Sequence, residues 1–385
     1  MHVKNGIMKR GTGYQLVRDV VDCTCFLERR FTDIIQTVWD LFCSPLKSSR
    51  GEDVSRTIAQ TPEPRGLSMN EKNPLNIETI QLGKTDIRIT PLGAGTWQWG
   101  DSKYWGYGST YHEADVQAAF QVSLEAGIRF FDTAERYGHG KSERLLGKFI
   151  HASDQSVVVA TKYDPFPWRR WKKSMIIAER QSLKRLDMSI VDLYQIHWPT
   201  PPLSIESMAE ALADAVEAGL TRAVGVCNYD KEQMQLTHQV LSKRGIPLAS
   251  NQVNYSLLRR NVEKNGLLKA CMDMGVTLIA YRPIAKGVLT GKYTPEKTPP
   301  GMRGNYYDKD RLAQVQPMIR LMRETGKAHG GKSPPQVALN WLICKGAVPI
   351  PGAKNAHQAQ ENAGALGWRL TDEEVTALDE ASSKY

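Results

Sequence analysis

Eight short apolar runs, each followed by a segment with helical spacing, limit the possible folds of this chain most strongly. The runs lie near residues 91–96, 128–133, 157–162, 192–197, 223–228, 248–253, 277–282 and 348–353. Helix-like segments between them include 113–126, 175–186, 204–218 and 333–342. Eight such alternations predict an α/β protein with a (β/α)8 TIM barrel. A doubly wound sheet is the alternative, but the early Gly-x-Gly-x-x-Gly turn typical of it is absent from this sequence.

The residues ahead of these runs divide into two parts. Two alternating apolar segments flank residues 83–86, which predicts an N-terminal β-hairpin. Residues 1–68 differ, because 26–42 has helical spacing and 44–73 is rich in Ser, Pro, Glu and Arg, as in a linker. We expect a poorly ordered N-terminal extension at 1–68 and a barrel domain at 69–385. The extension is a regulatory helix, a transit peptide with more acidic residues than is usual, or sequence ahead of a true start at Met69.

Composition excludes several classes of function. The formal net charge is +9, which suits either nucleic acid or an anionic nucleotide ligand. The chain lacks zinc-finger spacing, an RNP-like stretch and a block of basic residues, so we expect no nucleic-acid partner and no metal. The six cysteines form no disulfide framework, and no apolar run reaches membrane-spanning length. We therefore expect a cytoplasmic monomer without a membrane partner, or a chloroplast protein if residues 1–68 are a transit peptide.

Polar residues follow the apolar runs at the point where each predicted strand ends. Asp132, Lys162 and His197 close three runs, and Tyr137 follows Asp132 by five residues. The carboxyl ends of the strands are where barrel enzymes carry their chemistry. An acid, an amine, an imidazole and a phenol at one rim are the groups that a proton-relay site needs.

Several stretches in a fixed order resemble the aldo-keto reductase superfamily, in particular its bacterial and chloroplast-type branch. They are Phe-Asp-Thr-Ala-Glu-Arg-Tyr-Gly at 131–138, Ala-Thr-Lys at 160–162, Asp-Leu-Tyr-Gln-Ile-His at 192–197, Gly-Val-Cys-Asn at 225–228, Gln-Val-Asn-Tyr-Ser at 252–256, Ala-Tyr-Arg-Pro at 280–283 and Ile-Pro-Gly-Ala-Lys at 350–354. The resemblance covers residues 77–385. It implies an oxidoreductase that reduces a small-molecule carbonyl substrate by hydride transfer from NADPH.

The resemblance also implies a role for each of the four polar residues. Tyr137 would donate a proton to the carbonyl oxygen, although a free phenol has a pKa near ~10. The ammonium of Lys162 would lower that pKa, and Asp132 would hold Lys162 charged and oriented. His197 would hydrogen-bond the substrate oxygen and set its angle.

The cofactor and substrate positions follow from the same resemblance. Asn228 and Gln252 match the side chains that bind the nicotinamide carboxamide, and Tyr281 matches the aromatic residue that stacks on the ring. A cation at Lys354 favours NADPH over NADH. Tryptophans close to strand ends suit aromatic or apolar aldehydes, so we expect Trp97, Trp168 and Trp198 to line the substrate pocket. The full set of expected cofactor contacts is Thr96, Trp97, Asp132, Asn228, Gln252, Tyr281, Arg282, Pro283, Ile284, Gly287, Leu289, Lys292, Ile350, Gly352, Lys354, Gln358, Glu361 and Asn362.

Two residues depart from the family pattern. Cys227 stands where Ser is common, so it either weakens a hydroxyl contact to the carboxamide or fills the same space as a small buried side chain. Arg282 stands where Ser is usual, and it either reaches a cofactor phosphate or is a solvated arginine at a strand end. The alternative function is an NADPH-binding regulatory or redox-sensing subunit with slow catalysis, like the potassium-channel β-subunits on this fold.

Overall fold

The computed structural model describes residues 78–300, 304 and 306–385. The N-terminal extension at 1–68 and its boundary with the barrel lie outside the described residues and stay predictions. Within the described part, the expected hairpin is present as β1 (Ile80–Gln81) and β2 (Arg88–Ile89), which pair antiparallel.

An eight-stranded parallel sheet forms the centre of the described chain, and its strands neighbour one another in sequence order. They are β3 (Ala94–Gly95), β4 (Phe130–Asp132), β5 (Val158–Tyr163), β6 (Val191–Ile196), β7 (Thr221–Cys227), β8 (Leu248–Asn254), β9 (Thr277–Tyr281) and β10 (Val348–Pro349).

The first and last strands of the sheet also meet, so the sheet closes on itself. Gly93 donates its N–H to the carbonyl of Pro349, and Gly95 donates to that of Pro351, both at 3.0 Å. A Cβ at Gly95 would lie 2.9 Å from the carbonyl oxygen of Ile350, so a glycine is needed for this approach. The predicted (β/α)8 barrel is confirmed, because closure leaves the sheet without a free edge.

Helices surround the sheet and begin close to where the sequence places them. For example, Ser333 forms a capping box with Gln336 at the start of the helix predicted at 333–342. The helices are α1 (Ser102–Trp105), α2 (Glu113–Glu125), α3 (Lys141–His151), α4 (Lys173–Leu186), α5 (Ile205–Glu217), α6 (Lys231–Ser242), α7 (Asn261–Lys264), α8 (Leu267–Met274), α9 (Lys309–Ala328), α10 (Pro334–Cys344), α11 (Ala356–Ala363) and α12 (Asp372–Ser382). None of the helices in the described ranges is both long enough and apolar enough to cross a bilayer.

The hairpin closes the end of the barrel where the strands begin. Leu82, Ile87 and Ile89 are buried against the innermost apolar side chains of the strands. Gly83 lies so close to Ala249 that a Cβ would come within 2.5 Å of its carbonyl oxygen. Because this end is filled with apolar side chains, a ligand has access only from the opposite end, where the strands finish.

Polar side chains replace apolar ones in the upper half of the barrel interior. Gly225 on β7 leaves space there, since a Cβ at this position would overlap the hydroxyl of Ser250 and crowd Gln195. The lower, apolar layer therefore supports an upper layer that is polar, and this upper layer contains the candidate site.

Candidate active site

The four residues expected to be catalytic come together at the carboxyl ends of neighbouring strands. Asp132 ends β4 and Lys162 lies on β5, and their side chains are almost completely buried. The ammonium of Lys162 donates to Asp132 Oδ1 at 2.5 Å, to the carbonyl of Thr133 at 2.8 Å and to Tyr137 Oη at 3.4 Å. The three functional groups thus form one continuous chain from carboxylate to phenol.

A tight turn holds the phenol over this chain. Tyr137 begins a 3-10 segment, Tyr137–Gly140, in which Gly138 and His139 adopt left-handed backbone conformations with φ of 53° and 54°. A Cβ at Gly138 would lie 2.7 Å from the carbonyl oxygen of Gly100, so only glycine fits there. The turn directs the half-buried phenol toward Lys162, with the ring centroid 6.2 Å from that of Trp97.

The second oxygen of Asp132 is held by two amides. Gln252 Nε2 donates to Asp132 Oδ2 at 2.8 Å, and Gln195 Nε2 donates to it at 3.3 Å. The oxygen of Gln195 lies 3.7 Å from the thiol of Cys227 and 3.4 Å from the hydroxyl of Ser250. Sequence reasoning missed Gln195. The alternation along β6 was the available signal, since Gln195 shares the inward face with His197 two residues later.

Burial and charge set the pKa values of this chain of groups. Burial lowers the pKa of Lys162, but Asp132, Tyr137 and Cys227 together outweigh burial, so the pKa is raised overall. Burial raises the pKa of Tyr137 to about 12, and although Lys162 lowers it, Asp132 raises it again. Lys162 thus lowers the pKa of the phenol as expected, but burial and Asp132 raise it by more.

The imidazole of His197 lies against the phenol. Its ring centroid is 5.8 Å from that of Tyr137, and the ring of Trp198 stacks on it at 6.1 Å. His197 Nδ1 is 3.6 Å from Asp164 Oδ2, and Arg136 contacts the same oxygen at 3.3 Å. Burial alone would raise the pKa of Asp164, but His197 and Arg136 hold it below its usual value.

A second group of expected residues borders the same end of the barrel. The amide of Asn228, whose φ is 62°, donates to the carbonyl of His197 at 3.0 Å and accepts from Tyr281 Oη at 2.8 Å. Both ends of the Asn228 side chain are thus engaged within the protein. The guanidinium carbon of Arg282 lies 5.6 Å from the ring centroids of both Trp97 and Tyr281. Arg282 is partly exposed and directly follows β9, so both alternatives for its side chain stay predictions.

The segment that follows β9 contains three consecutive left-handed residues, and we call it the left-handed cradle. Within Ala285–Thr290, Ala285, Lys286 and Gly287 have consecutive positive φ values of 48°, 56° and 94°. A left-handed conformation costs a residue with a side chain roughly 1–2 kcal/mol, so the surrounding structure must hold this segment in place. Strained segments of this kind are common at functional sites. A Cβ at Gly287 would have the amine of Lys292 3.9 Å away. The N–H groups of Ala285 and Gly287 donate to the carbonyls of Arg282 and Ile284, both at 2.9 Å, so an anion at this segment would be held by the amine of Lys292.

The remaining charged and polar positions near the end of the chain have partners within the protein. The ammonium of Lys354 donates to the carbonyl of Trp105 at 2.8 Å and lies 4.5 Å from the ring centroid of Tyr111. Gln358 accepts from the N–H of Lys354 at 3.0 Å, and Glu361 accepts from the hydroxyl of Ser333.

Several further expected cofactor contacts have a structural role. The hydroxyl of Thr96 donates to the carbonyl of Asp132 at 3.0 Å. Asn362 donates to the carbonyl of Gly352 at 3.4 Å. Ile284 is partly buried against the core, and three other apolar side chains are fully buried, so only their backbone can face a cofactor: Pro283, Leu289 and Ile350.

The structure separates the three tryptophans expected to line the substrate pocket. Trp97 and Trp198 contact Tyr137 and His197 respectively. Trp168 is 66% exposed and stacks on Phe166 with a centroid distance of 4.7 Å. Ring contacts therefore place Trp97 and Trp198, but not Trp168, beside the four central side chains.

A closed (β/α)8 barrel with this group of side chains at its open end defines the class of barrel oxidoreductases that act on carbonyls. The model of the Aldo/keto reductase family matches residues 91–383. The chloroplastic pyridoxal reductase of Arabidopsis thaliana is 42% identical in an alignment of 320 residues that covers 80% of this chain and 86% of that protein. The L-glyceraldehyde 3-phosphate reductase of Escherichia coli K12 is 30% identical, over 77% of this chain and 90% of that protein.

A solved structure gives the same result at the level of the fold. The glycerol dehydrogenase of Gluconobacter oxydans superposes with a TM-score of 0.72 at 27% identity, covering 80% of this chain and 96% of that one. The chain belongs to the aldo/keto reductase family, and it is an NAD(P)H-dependent oxidoreductase that acts on carbonyl groups.

Proposed function

We propose that the protein reduces aromatic or apolar aldehydes to alcohols with NADPH, and that Tyr137 is the proton donor. The observation that carries this proposal is the buried chain from Asp132 through Lys162 to the phenol of Tyr137. The groups of this chain are arranged for proton transfer at the open end of the barrel.

The chemistry divides between the cofactor and the residues of the chain. A bound nicotinamide supplies the hydride to the carbonyl carbon. Tyr137 then donates its phenolic proton to the carbonyl oxygen, and the high pKa of the phenol keeps it protonated at ordinary pH. Lys162, 3.4 Å from the phenol oxygen, stabilises the phenolate that remains. Asp132 keeps Lys162 charged and fixed through the 2.5 Å contact.

His197 positions the substrate in this proposal. Its ring lies edge-on to Tyr137 and stacks on Trp198, so its orientation is restricted on two sides. An imidazole held in this way offers a hydrogen bond at a fixed angle beside the phenol. Alignment of the carbonyl oxygen between the two groups lowers the entropy cost of reaching the transition state.

The residues that border the barrel mouth fit a nicotinamide dinucleotide. The amides of Asn228 and Gln252 would bind a carboxamide by exchanging contacts that they now make within the protein, and the ring of Tyr281 offers a stacking surface. The left-handed cradle and Lys292 suit the phosphates. Lys354 supports a preference for NADPH over NADH, since a 2′-phosphate adds negative charge. To reach that phosphate, its ammonium exchanges the carbonyl of Trp105 for phosphate oxygens.

The aromatic side chains around the phenol support an aromatic aldehyde as substrate. Trp97 and Trp198 lie beside Tyr137 and His197, and Tyr104 stacks on Trp97 at 5.1 Å. Flat apolar walls of this kind favour a planar substrate. The relative at 42% identity is a pyridoxal reductase, and pyridoxal is a planar aromatic aldehyde.

The test is NADPH oxidation, followed by absorbance, with benzaldehyde, pyridoxal and aliphatic aldehydes of matched size. We expect higher kcat/KM for the aromatic compounds, and higher kcat/KM with NADPH than with NADH. Lys354→Met should remove much of the cofactor preference, whereas Lys345→Met, a lysine paired with Asp379 on α12, serves as the matched control. Equal rates with both cofactors in the wild type would refute the NADPH preference.

We also propose that the barrel domain at 69–385 is the catalytic unit. The family model begins at residue 91, and all the side chains of the site lie after that point. A chain that starts at Met69 should keep the kcat/KM of the full chain. A large loss would show that residues 1–68 contribute to the site.

A further inference from the structure

We propose that Arg282 is a specificity-determining residue that binds an anionic group, a carboxylate or a phosphate, on the carbonyl substrate. This inference rests on the proposed reductase function and adds a substrate class to it. The starting observation is a packed guanidinium at the reaction end of the barrel that lacks an acidic partner among the residues the structure describes.

The position of Arg282 connects it to the reacting groups. Its guanidinium carbon is 5.6 Å from the ring centroid of Trp97, and the ring of Trp97 is 6.2 Å from that of Tyr137. Trp97 therefore contacts both the cation and the phenol. A substrate that presents its carbonyl to Tyr137 and lies along Trp97 brings its far end to Arg282.

The backbone and the stacking hold the guanidinium in place. Arg282 has a φ of 53°, an uncommon conformation for a residue with a side chain, which turns the chain sharply where β9 ends. The guanidinium packs near the rings of both Trp97 and Tyr281. A planar guanidinium beside aromatic rings can still present its N–H edges to a bidentate anion. A fixed guanidinium loses little entropy when it binds an anion.

Three acidic groups among or beside the four central side chains each have a basic partner. Asp132 pairs with Lys162, Asp164 pairs with Arg136, and Glu135 pairs bidentately with Arg169.

Arg282 is the exception to this pairing. Its Nε is buried and donates no hydrogen bond within the described structure. A buried donor without an acceptor is unfavourable, and an anion that meets the terminal N–H groups of the guanidinium would compensate its charge.

The cofactor is the other source of an anion for Arg282, through its phosphates. The geometry favours the substrate, because the guanidinium lies beside Trp97, whose ring is 6.2 Å from that of the proposed proton donor Tyr137. The left-handed cradle and Lys292 provide a separate place for phosphates. The two sources differ in what a substitution of Arg282 changes, so an experiment can distinguish them.

The experiment compares 4-carboxybenzaldehyde with 4-formylbenzamide, which have nearly the same shape and differ in charge. The readout is the ratio of their kcat/KM values with NADPH in the wild type, Arg282→Ser and Arg282→Lys. We expect the wild type to prefer the acid and Arg282→Ser to lower the ratio roughly 10- to 100-fold, as for loss of a charge-assisted hydrogen bond. Arg282→Lys, which keeps the charge but not the planar fork, should lie between them.

Arg170→Ser is the matched control, since it removes an exposed arginine from the loop after β5. A weaker affinity for NADPH lowers both kcat/KM values and cancels in the ratio, so the dissociation constant of NADPH is measured separately. An unchanged ratio with a raised NADPH dissociation constant would assign Arg282 to a cofactor phosphate and overturn the proposal. An equal fall of the ratio in Arg170→Ser would also overturn the proposal. The preference for the acid would then come from the overall positive charge around the barrel mouth and not from Arg282.

Failure of the reductase function gives a different result. If the wild type oxidises NADPH with neither aldehyde, the proposed function fails, and calorimetry with 4-(hydroxymethyl)benzoate on the NADP⁺-loaded protein tests Arg282 directly. Binding by the wild type that is lost in Arg282→Ser supports the anion site. Equal binding by the two proteins, or no binding by either, overturns it.

Discussion

Glu179 is a buried carboxyl group outside the candidate site, and it makes the stability of the protein depend on pH. Glu179 lies on α4 with no exposed surface, and neither of its oxygens accepts a hydrogen bond from the described residues. The nearby carboxylates of Glu143 and Glu135 have Arg185 and Arg169 as partners. Burial alone raises the pKa of Glu179 to about 8 from an ordinary value of 4.5.

The size of the effect follows from this difference in pKa. Each unit of pKa difference between folded and unfolded states corresponds to about 1.4 kcal/mol, so ionisation above pH 8 costs the folded state about 5 kcal/mol. Between the two pKa values the folded state binds more protons than the unfolded state, so the free energy of unfolding falls as pH rises. The stability that protonated Glu179 contributes is fully present below pH 4.5 and is lost as pH rises through 8.

The assay is urea unfolding of the wild type and Glu179→Gln at about pH 5 and about pH 8. The amide carries no charge at either pH, so its stability relative to the wild type should rise by about 3–4 kcal/mol between these values. Glu125→Gln, which removes an exposed carboxylate from α2, is the matched control and should show no such change. Parallel pH curves for the wild type and Glu179→Gln would refute the reasoning that Glu179 is buried and unpaired.

Three further predictions concern the site. Lys162→Met should lower kcat by at least roughly 100-fold, because the phenolate loses its adjacent cation, while retained NADPH binding by fluorescence titration shows an intact fold. The pKa of Tyr137 near about 12 keeps the acid form present, so kcat for reduction should stay level from about pH 6 to about pH 10; a fall centred near neutral pH would contradict this. Cys227 is 1% exposed and burial raises the pKa of its thiol, so mass spectrometry should find it alkylated only after unfolding; rapid labelling in the native state would count against its burial.

The barrel and the four central residues were predictable because both depend on local pattern. The alternation of apolar runs and helical segments gives the element order, and the last polar residue of a run falls at the rim. The hairpin was predictable for the same reason. The shortest strands were less so, since β3 and β10 contain only Ala94–Gly95 and Val348–Pro349 of the runs at 91–96 and 348–353. Glycine and proline at this closing seam leave few residues for a regular ladder.

Features that depend on distant contacts were not predictable. The hydrogen bonds from Gln195 and Gln252 to Asp132 join three strands, and the pair between Glu135 and Arg169 joins two loops. No short sequence pattern encodes such contacts. The net pKa of the phenol was not predictable for a related reason, because the charge of Lys162 is visible in the sequence whereas burial is a property of the folded chain.

The most direct test of the central claim is NADPH oxidation by Tyr137→Phe beside the wild type, with benzaldehyde and pyridoxal as substrates. Phe keeps the ring beside Trp97 and His197 and removes only the hydroxyl that lies 3.4 Å from Lys162. We expect turnover to disappear in Tyr137→Phe while the dissociation constant of NADPH stays close to that of the wild type. Equal turnover in the two proteins would contradict the role of Tyr137 as proton donor, and tight NADPH binding without turnover in the wild type would favour a regulatory subunit.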